Sequence, residues 1–455
     1  MRKLAIALAF LATPLIAQDT AAIDKAVAEI LTKSGAPSAS IAVVKDGKIV
    51  YVHAYGTARI DPPMPAKPEM RYSIGSISKQ FTSAAILMLA EEGKLSLDDK
   101  LVRWFPDLTR AGEVTVRELL SMTSGYQDFW PQDYVMPMML NPVTPQEISS
   151  EWARKPLDFE PGTKWQYSNT NYVIAGMIVE KVAGMPLLDL LQRRVFTPLQ
   201  MTTVFNTDLA PLGPNEPTRY MRYALGPLRP APKEGRGWLF AAGELAMTAH
   251  DLALWDISLM DQAILKPASY KALETEVQLA NGVGTRYGLG VNVGMSEGRR
   301  FISHGGEVSG FTATNTVYLD DHAAIVVFTN LDATGASSQI ASRIGNLLFA
   351  ATDPTTQKTT GQMRKIFEAL QHGQIDRSQF TPNANAYFTD QAIKDFASSL
   401  GPLGTPQEFV QSSQSLRGGM TLRRYRIRFA QKTLTLTTFI LPDGKIEQYQ
   451  IAAAE

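Results

Sequence analysis

Strand-forming runs sit at the two ends of a long segment and helix-forming runs fill its middle, and this order restricts the fold more than any other feature of the sequence. Residues 38–44 and 48–55 are rich in Val, Ile and Tyr, and Asp46-Gly47 between them supplies the positive φ angles of a tight hairpin turn. Extended patterns return only at Tyr287–Val293, Arg299–Ser303, Thr312–Leu319 and Ala323–Thr329, with Asp320-Asp321 at a turn. Between the two sets, Tyr72–Glu92 carries Ile77, Phe81, Ala84, Ala85, Met88 and Leu89 at helical spacing and closes at Gly93. Prolines then punctuate a helical, loop-rich middle, and helix-like runs at Ala21–Ser34 and Ser337–Phe349 flank the whole. The order predicts an α/β domain whose antiparallel sheet is assembled from both ends of the segment, with an all-helical insertion to one side.

The chain edges carry separate signals. Arg2 and Lys3, the apolar run Leu4–Ile16 and the small Ala17 before Gln18 follow the three-part pattern of an export signal. That run is shorter than the ~20 residues a membrane span requires, and no later stretch is long and apolar enough. We therefore expect a signal at residues 1–17, a main domain at 18–351, a polar linker at 352–361 and a small α+β roll at 362–455. In the roll, Met363, Ile366, Phe367 and Leu370 form one helical stripe, Ala386–Leu400 reads as a second helix, and Asp443-Gly444 marks a hairpin. Tyr425, Ile427 and Phe429 alternate with Arg424, Arg426 and Arg428, which reads as the polar face of an antiparallel sheet rather than a nucleic-acid surface.

The 44 basic and 44 acidic residues give zero formal net charge, so nothing pulls the chain toward nucleic acid or anionic lipid. Cysteine is absent, which excludes thiol catalysis, disulfides and cysteine-bound metal. No two of His53, His250, His304, His322 and His372 are four residues apart, so a HExxH zinc helix is absent too. No metal or other cofactor is expected.

Three short motifs carry chemistry. Ser76-Ile77-Ser78-Lys79 opens the first large helix and places an amine one turn from a hydroxyl; an amine whose pKa is lowered by burial could take the serine proton. Taken alone, the motif is better read as Ser76 capping a helix N-terminus. Tyr167-Ser168-Asn169 offers a phenol that could relay a proton and an amide that could orient a substrate, or a loop in which Asn169 caps the next helix. His304-Gly305-Gly306 ends a strand-like run; paired glycines let a substrate approach a sheet edge, and the Glu307 N–H could supply half of an oxyanion hole. A fourth match, the G-x-S-x-G sequence around Ser296, lies between two strand-like runs rather than at a strand-to-helix turn, and so reads as a hairpin turn, not a nucleophile elbow.

In this order the three motifs resemble those of the serine β-lactamase and penicillin-recognising enzymes of the class C type. Tyr72-Ser73-Ile74-Gly75, Glu118–Gly125, Phe159-Glu160-Pro161-Gly162 and Tyr287-Gly288-Leu289-Gly290 add to the resemblance, which covers roughly residues 21–350. It implies a class C β-lactamase-like fold, with Ser76 the acylated nucleophile, Lys79 its base partner and Tyr167 the proton relay. Asn169 would orient the acyl chain, His304, Gly305 and Gly306 would line the site, and the main chain at Ser76 and Glu307 would hold the oxyanion. The implied partners are small-molecule or peptidoglycan-derived substrates, and the oligomeric state is left open. Two positions depart from the family pattern. Met122 replaces a histidine at a position that looks structural. His304 replaces the lysine of K-T-G, and with Glu307 nearby it removes the cation that would bind a β-lactam carboxylate. These departures favour an esterase or D-peptidase-type hydrolase over a β-lactamase proper; a non-catalytic peptidoglycan sensor is the competing class.

Overall fold

The computed structural model describes residues 15–132, 134–296, 298–350 and 354–454. Most of the signal-like segment, residues 1–14, lies outside the described residues, and its proposed cleavage point falls in the first turn of helix α1 (Leu15–Ser34). The chain divides into two compact units, one ending at Ile344 and one beginning at Gly345. Among the described residues no helix is long and apolar enough to cross a membrane.

The first unit is organised by a seven-stranded antiparallel sheet drawn from both ends of the segment, as its pattern of strand runs predicts. Strands β1 (Ser38–Lys45) and β2 (Lys48–Arg59) form the first hairpin, and Asp46 and Gly47 at its turn have φ of 52° and 69°. Strands β3 (Asn292–Ser296), β4 (Arg299–Val308), β5 (Phe311–Tyr318) and β6 (Ala323–Thr329) complete it in the order 64–65, β2, β1, β6, β5, β4, β3. The two ends meet at β1 and β6, where Ala39 faces Thr329 and Val44 faces Ala324. Both strands are buried along nearly their whole length, because helices cover both faces and leave no alternation to preserve. Helix α2 (Lys79–Glu91) is buried on every side from Lys79 to Leu89, the pattern of a helix at the centre of a core. Its Phe81 stacks 4.7 Å from Trp255 of a helix spanning Ala249–Met260 that packs on β1 and β6.

Four expectations are corrected here. The first large helix does not begin at Tyr72: Tyr72-Ser73 pairs with Ala246-Met247, and Gly75–Ser78 makes a 3-10 turn before α2. The same pairing, with Phe205-Asn206 added, puts a small three-stranded piece into the insertion, which is therefore not all helical. Of the first extended run, Tyr287–Val293, only Asn292 and Val293 lie in a strand, which continues to Ser296. Residues Tyr287–Val291 form an irregular segment, because Gly290 takes φ +83° and its chain is tied to Leu273 and Leu120 rather than to a neighbouring strand. Strand β4, by contrast, runs five residues further than expected and carries His304, Gly305 and Gly306 within it.

The second unit is a helix-on-sheet roll. The polar stretch 352–361 is not a linker along its length, since Pro354–Gln371 is one helix; Pro354 fits its first turn, where a missing N–H costs nothing. Met363, Ile366, Phe367 and Leu370 are buried against Tyr425, Ile427, Leu436 and Tyr449 of a four-stranded antiparallel sheet. The expected helix Ala386–Leu400 is instead two, Pro382–Tyr387 and Asp390–Leu400, with Thr389 capping the second. On the outer face of the sheet, Arg426 and Arg428 share the Glu408 carboxylate at 2.7 and 3.1 Å.

Candidate active site

The site begins where the turn before α2 meets strand β4. Gly75 has φ +51°, and a Cβ added there would lie 2.7 Å from the Glu307 nitrogen. A Cβ on Gly306 would lie 1.9 Å from the Ile74 carbonyl oxygen. Only glycine at both positions lets the two backbones touch, and this contact brings the Glu307 main chain beside Ser76. Ser76 caps no helix: neither the 3-10 turn nor α2 has a side-chain cap, so the alternative reading of this serine is removed.

Lys79, the first residue of α2, is fully buried and donates to three acceptors: Ser76 Oγ at 2.9 Å, Asn169 Oδ1 at 2.8 Å and the Ala242 carbonyl at 2.8 Å. Burial lowers its pKa from 10.5 to about 7, against an opposing pull from the Asp128 carboxylate. A large share of the amine is therefore neutral near pH 7 and can accept the Ser76 proton over one hydrogen bond. Asn169 begins the helix Asn169–Ala183, which places it beneath Lys79. Its side-chain nitrogen donates to Asp128 at 3.2 and 3.3 Å, and its backbone N–H donates to the same carboxylate at 2.9 Å.

Asp128 was not anticipated from the sequence. Burial raises its pKa, while backbone donors from Asn169 and Trp130 and the charge of Lys79 act to lower it. The only local signal is an acid wedged between Ser124-Gly125 and the aromatic pair Phe129-Trp130. The Ala242 carbonyl had no signal at all.

The Tyr167 hydroxyl is close enough to Ser76 to be influenced by it, and its ring lies 5.0 Å from Lys79 Nζ. Burial pushes its pKa well above the usual phenol value, so at neutral pH the hydroxyl holds its proton and is available as a donor rather than standing as a phenolate. Met122 supports this arm: its carbonyl accepts from Gln166 at 3.0 Å and its sulfur from the Ser168 N–H at 3.4 Å, a packing role.

His304 projects from β4 into the same cleft, its ring centroid 6.2 Å from that of Tyr167. Burial, and then the charge of Lys79, lower its pKa to about 4, so the imidazole is neutral at pH 7. Tyr287 Oη lies 2.9 Å from its Nε2, and its Nδ1 bonds the Gly305 carbonyl. The cleft holds about 760 Å³, and Ser76, Tyr167, Asn169, His304, Gly305, Gly306 and Glu307 all line it. Aromatic rings of Phe129, Trp130, Trp165 and Trp238 make much of the wall. The acidic lining side chains are those of Asp128, Glu307 and Asp332, and among the described lining residues there is no Lys or Arg. Ser296 ends β3, paired with Arg299 across a hairpin, and lines no part of the cleft.

A hydroxyl, a depressed amine and a phenol thus converge from the start of the core helix and the middle of the chain, beside a strand edge. Residues 23–347 match the protein family described as Beta-lactamase. The chain belongs to the beta-lactamase family. Within reach of that family's members, a penicillin-binding protein of Bacillus subtilis (strain 168) is 29% identical over 311 residues, 64% of this chain and 67% of that protein. A D-aminopeptidase of Brucella anthropi is 29% identical over 332 residues, 72% of this chain. The chain spans 62% of that relative's length, less than two thirds. The solved structure of a D-amino acid amidase from Ochrobactrum anthropi SV3, complexed with D-phenylalanine, gives a TM-score of 0.67 at 25% identity, over 74% of this chain and all of that one. The family and the mixed fold expected from the motifs are both borne out.

Proposed function

We propose that the protein is an exported serine hydrolase that acylates Ser76 and releases the acyl group to water, acting on D-amino-acid amides, short D-peptides or related esters. The observation that carries this reading is the 2.9 Å contact between Ser76 Oγ and a buried amine whose pKa lies near 7. As Oγ attacks the substrate carbonyl carbon, its proton passes to Lys79 and the oxyanion forms beside the main chain of Ser76 and Glu307. Tyr167, beside Ser76 in the cleft, is placed to deliver a proton to the leaving amine or alkoxide as its bond to carbon breaks. Water then attacks the Ser76 ester, giving up a proton along the same groups, and the acid leaves as Oγ is reprotonated.

Substrate class follows from charge. A cleft with three carboxylates and a neutral His304 disfavours a β-lactam carboxylate and suits a substrate bearing a free amine, and relatives named D-aminopeptidase and D-amino acid amidase fit that chemistry. Export rests on the pattern in residues 1–17. The test is a panel of D- and L-amino-acid amides, p-nitrophenyl esters and β-lactams, followed by turnover and by intact mass. We expect turnover of D-amides or esters that falls by roughly 10³-fold or more in Ser76→Ala. Unchanged turnover in that variant refutes the assignment. A stable penicillin adduct without turnover of any substrate favours a sensor instead.

A further inference from the structure

One buried contact lies outside the acyl-transfer steps. His304 Nδ1 bonds the carbonyl oxygen of Gly305, and a carbonyl only accepts, so Nδ1 must hold the ring proton. In a neutral imidazole Nε2 is then an acceptor, and the Tyr287 hydroxyl 2.9 Å away must donate to it. We infer that Tyr287 is a positioning and specificity-determining residue: its hydroxyl locks His304 in the Nδ1–H form, so that the sheet wall of the cleft offers no cation to a substrate.

Tyr287 is built for a fixed role. It is 1% exposed and lies edge-on to the imidazole at 5.9 Å. Its carbonyl accepts from Val277 at 2.9 Å, its N–H donates to Thr285 Oγ1 at 3.2 Å, and the exposed Trp165 ring covers it at 5.7 Å. Its own pKa lies well above 10 through burial, so the hydroxyl keeps the proton it donates. The groups facing His304 are few. Lys79 of α2 and the Tyr167 phenol approach from the helical side, and Asp128 lies beyond Lys79 and Asn169. Across the sheet Asn315 pairs with His304 in register, and its amide donates to both oxygens of Asp256 at 2.9 and 2.7 Å, which screens that acid from the ring. Among the described residues no carboxylate bonds the imidazole directly. Protonation at Nε2 would set two donors against each other at the Tyr287 hydroxyl unless that hydroxyl turned, with Lys79 opposing the new charge.

This inference rests on the hydrolase reading only for its consequence on substrates; the ring's protonation state is testable without turnover. Nitrogen-15 spectra of the histidine rings, with His304 assigned by its loss in His304→Gln, should show Nδ1 protonated, Nε2 bare and no titration between pH 5 and 8. In Tyr287→Phe the same ring should begin to titrate above pH 5. Acylation by benzylpenicillin, an anion, should then rise roughly five- to tenfold at pH 6 relative to the parent protein, with little change at pH 8.5. A His304 that titrates normally in the parent protein overturns the inference even if the phenylalanine variant fails to fold. So does a variant ring whose spectra and pH dependence match the parent. If the spectra behave as expected but no substrate or penicillin acylates Ser76, the hydrolase reading fails and the role of Tyr287 in fixing the ring stands.

Discussion

The helical wall and the sheet wall of the cleft each bury one nitrogen base, and the two walls treat it differently. On the helical wall Lys79 bonds three acceptors, and its pKa is lowered by burial against the opposing charge of Asp128, to about 7. On the sheet wall His304 has a carbonyl and a phenol but no acid bonded to it, and its pKa falls to about 4. The same burial therefore yields a base poised at neutrality on one side and a permanently neutral ring on the other. The stability consequences share a sign but fall in different pH windows. Between pH 7 and 10.5 the unfolded chain holds a proton on Lys79 that the folded protein does not, so stability rises with pH there and the penalty is complete below 7. For His304 the corresponding window is pH 4 to 6.5, so its neutral burial destabilises the fold as acid is added.

The largest effect that would break this contrast comes from Lys79→Met. We expect kcat/KM to fall by roughly 10²–10⁴. Urea unfolding should show the variant more stable at pH 6, with the gain shrinking toward pH 10; the shift caps that gain at roughly 5 kcal/mol, less the hydrogen bonds lost. A variant less stable at pH 6 than at pH 10, relative to the parent, would mean that Lys79 is stably charged. Next in size is Gly306→Ala, whose methyl meets the Ile74 carbonyl and should cost roughly 2 kcal/mol or more in thermal unfolding. Asp128→Asn sharpens the comparison from the helical side. Removing the charge that raises the Lys79 pKa should move the rising limb of kcat/KM to lower pH, with about a tenfold loss at the plateau from a loosened Asn169. The smallest effect is Gly305→Ala, where an added Cβ meets nothing closer than 3.9 Å and stability should change by no more than ~0.5 kcal/mol.

Much of the architecture was readable because local patterns and tertiary structure agree. Asp46-Gly47 forms its hairpin, Phe81 and its helical neighbours are buried, and the strand runs at both ends join at β1 and β6. Reading failed where backbone context outweighed periodicity. Tyr72 belongs to an apolar helical pattern, yet it pairs with Met247, a partner 175 positions away that no window detects. Tyr287 looked like a strand residue because aromatic and apolar types alternate there, whereas Gly290 and its ties to Leu273 and Leu120 turn the segment aside. Asp128 escaped notice because a lone acid in a loop has no period, and its role exists only once Asn169 is set beside it.

The sequence by itself determined which reactive groups this chain owns and which of them are neighbours by spacing: Ser76 and Lys79 lie one turn apart in any folded form that begins a helix here. Tertiary structure alone decided their protonation states. Desolvation and hydrogen bonding depend on everything packed around a group, and the partners that set Lys79 and His304, from Asp128 and Asn169 to Ala242 and Tyr287, come from separate parts of the chain that only folding brings together.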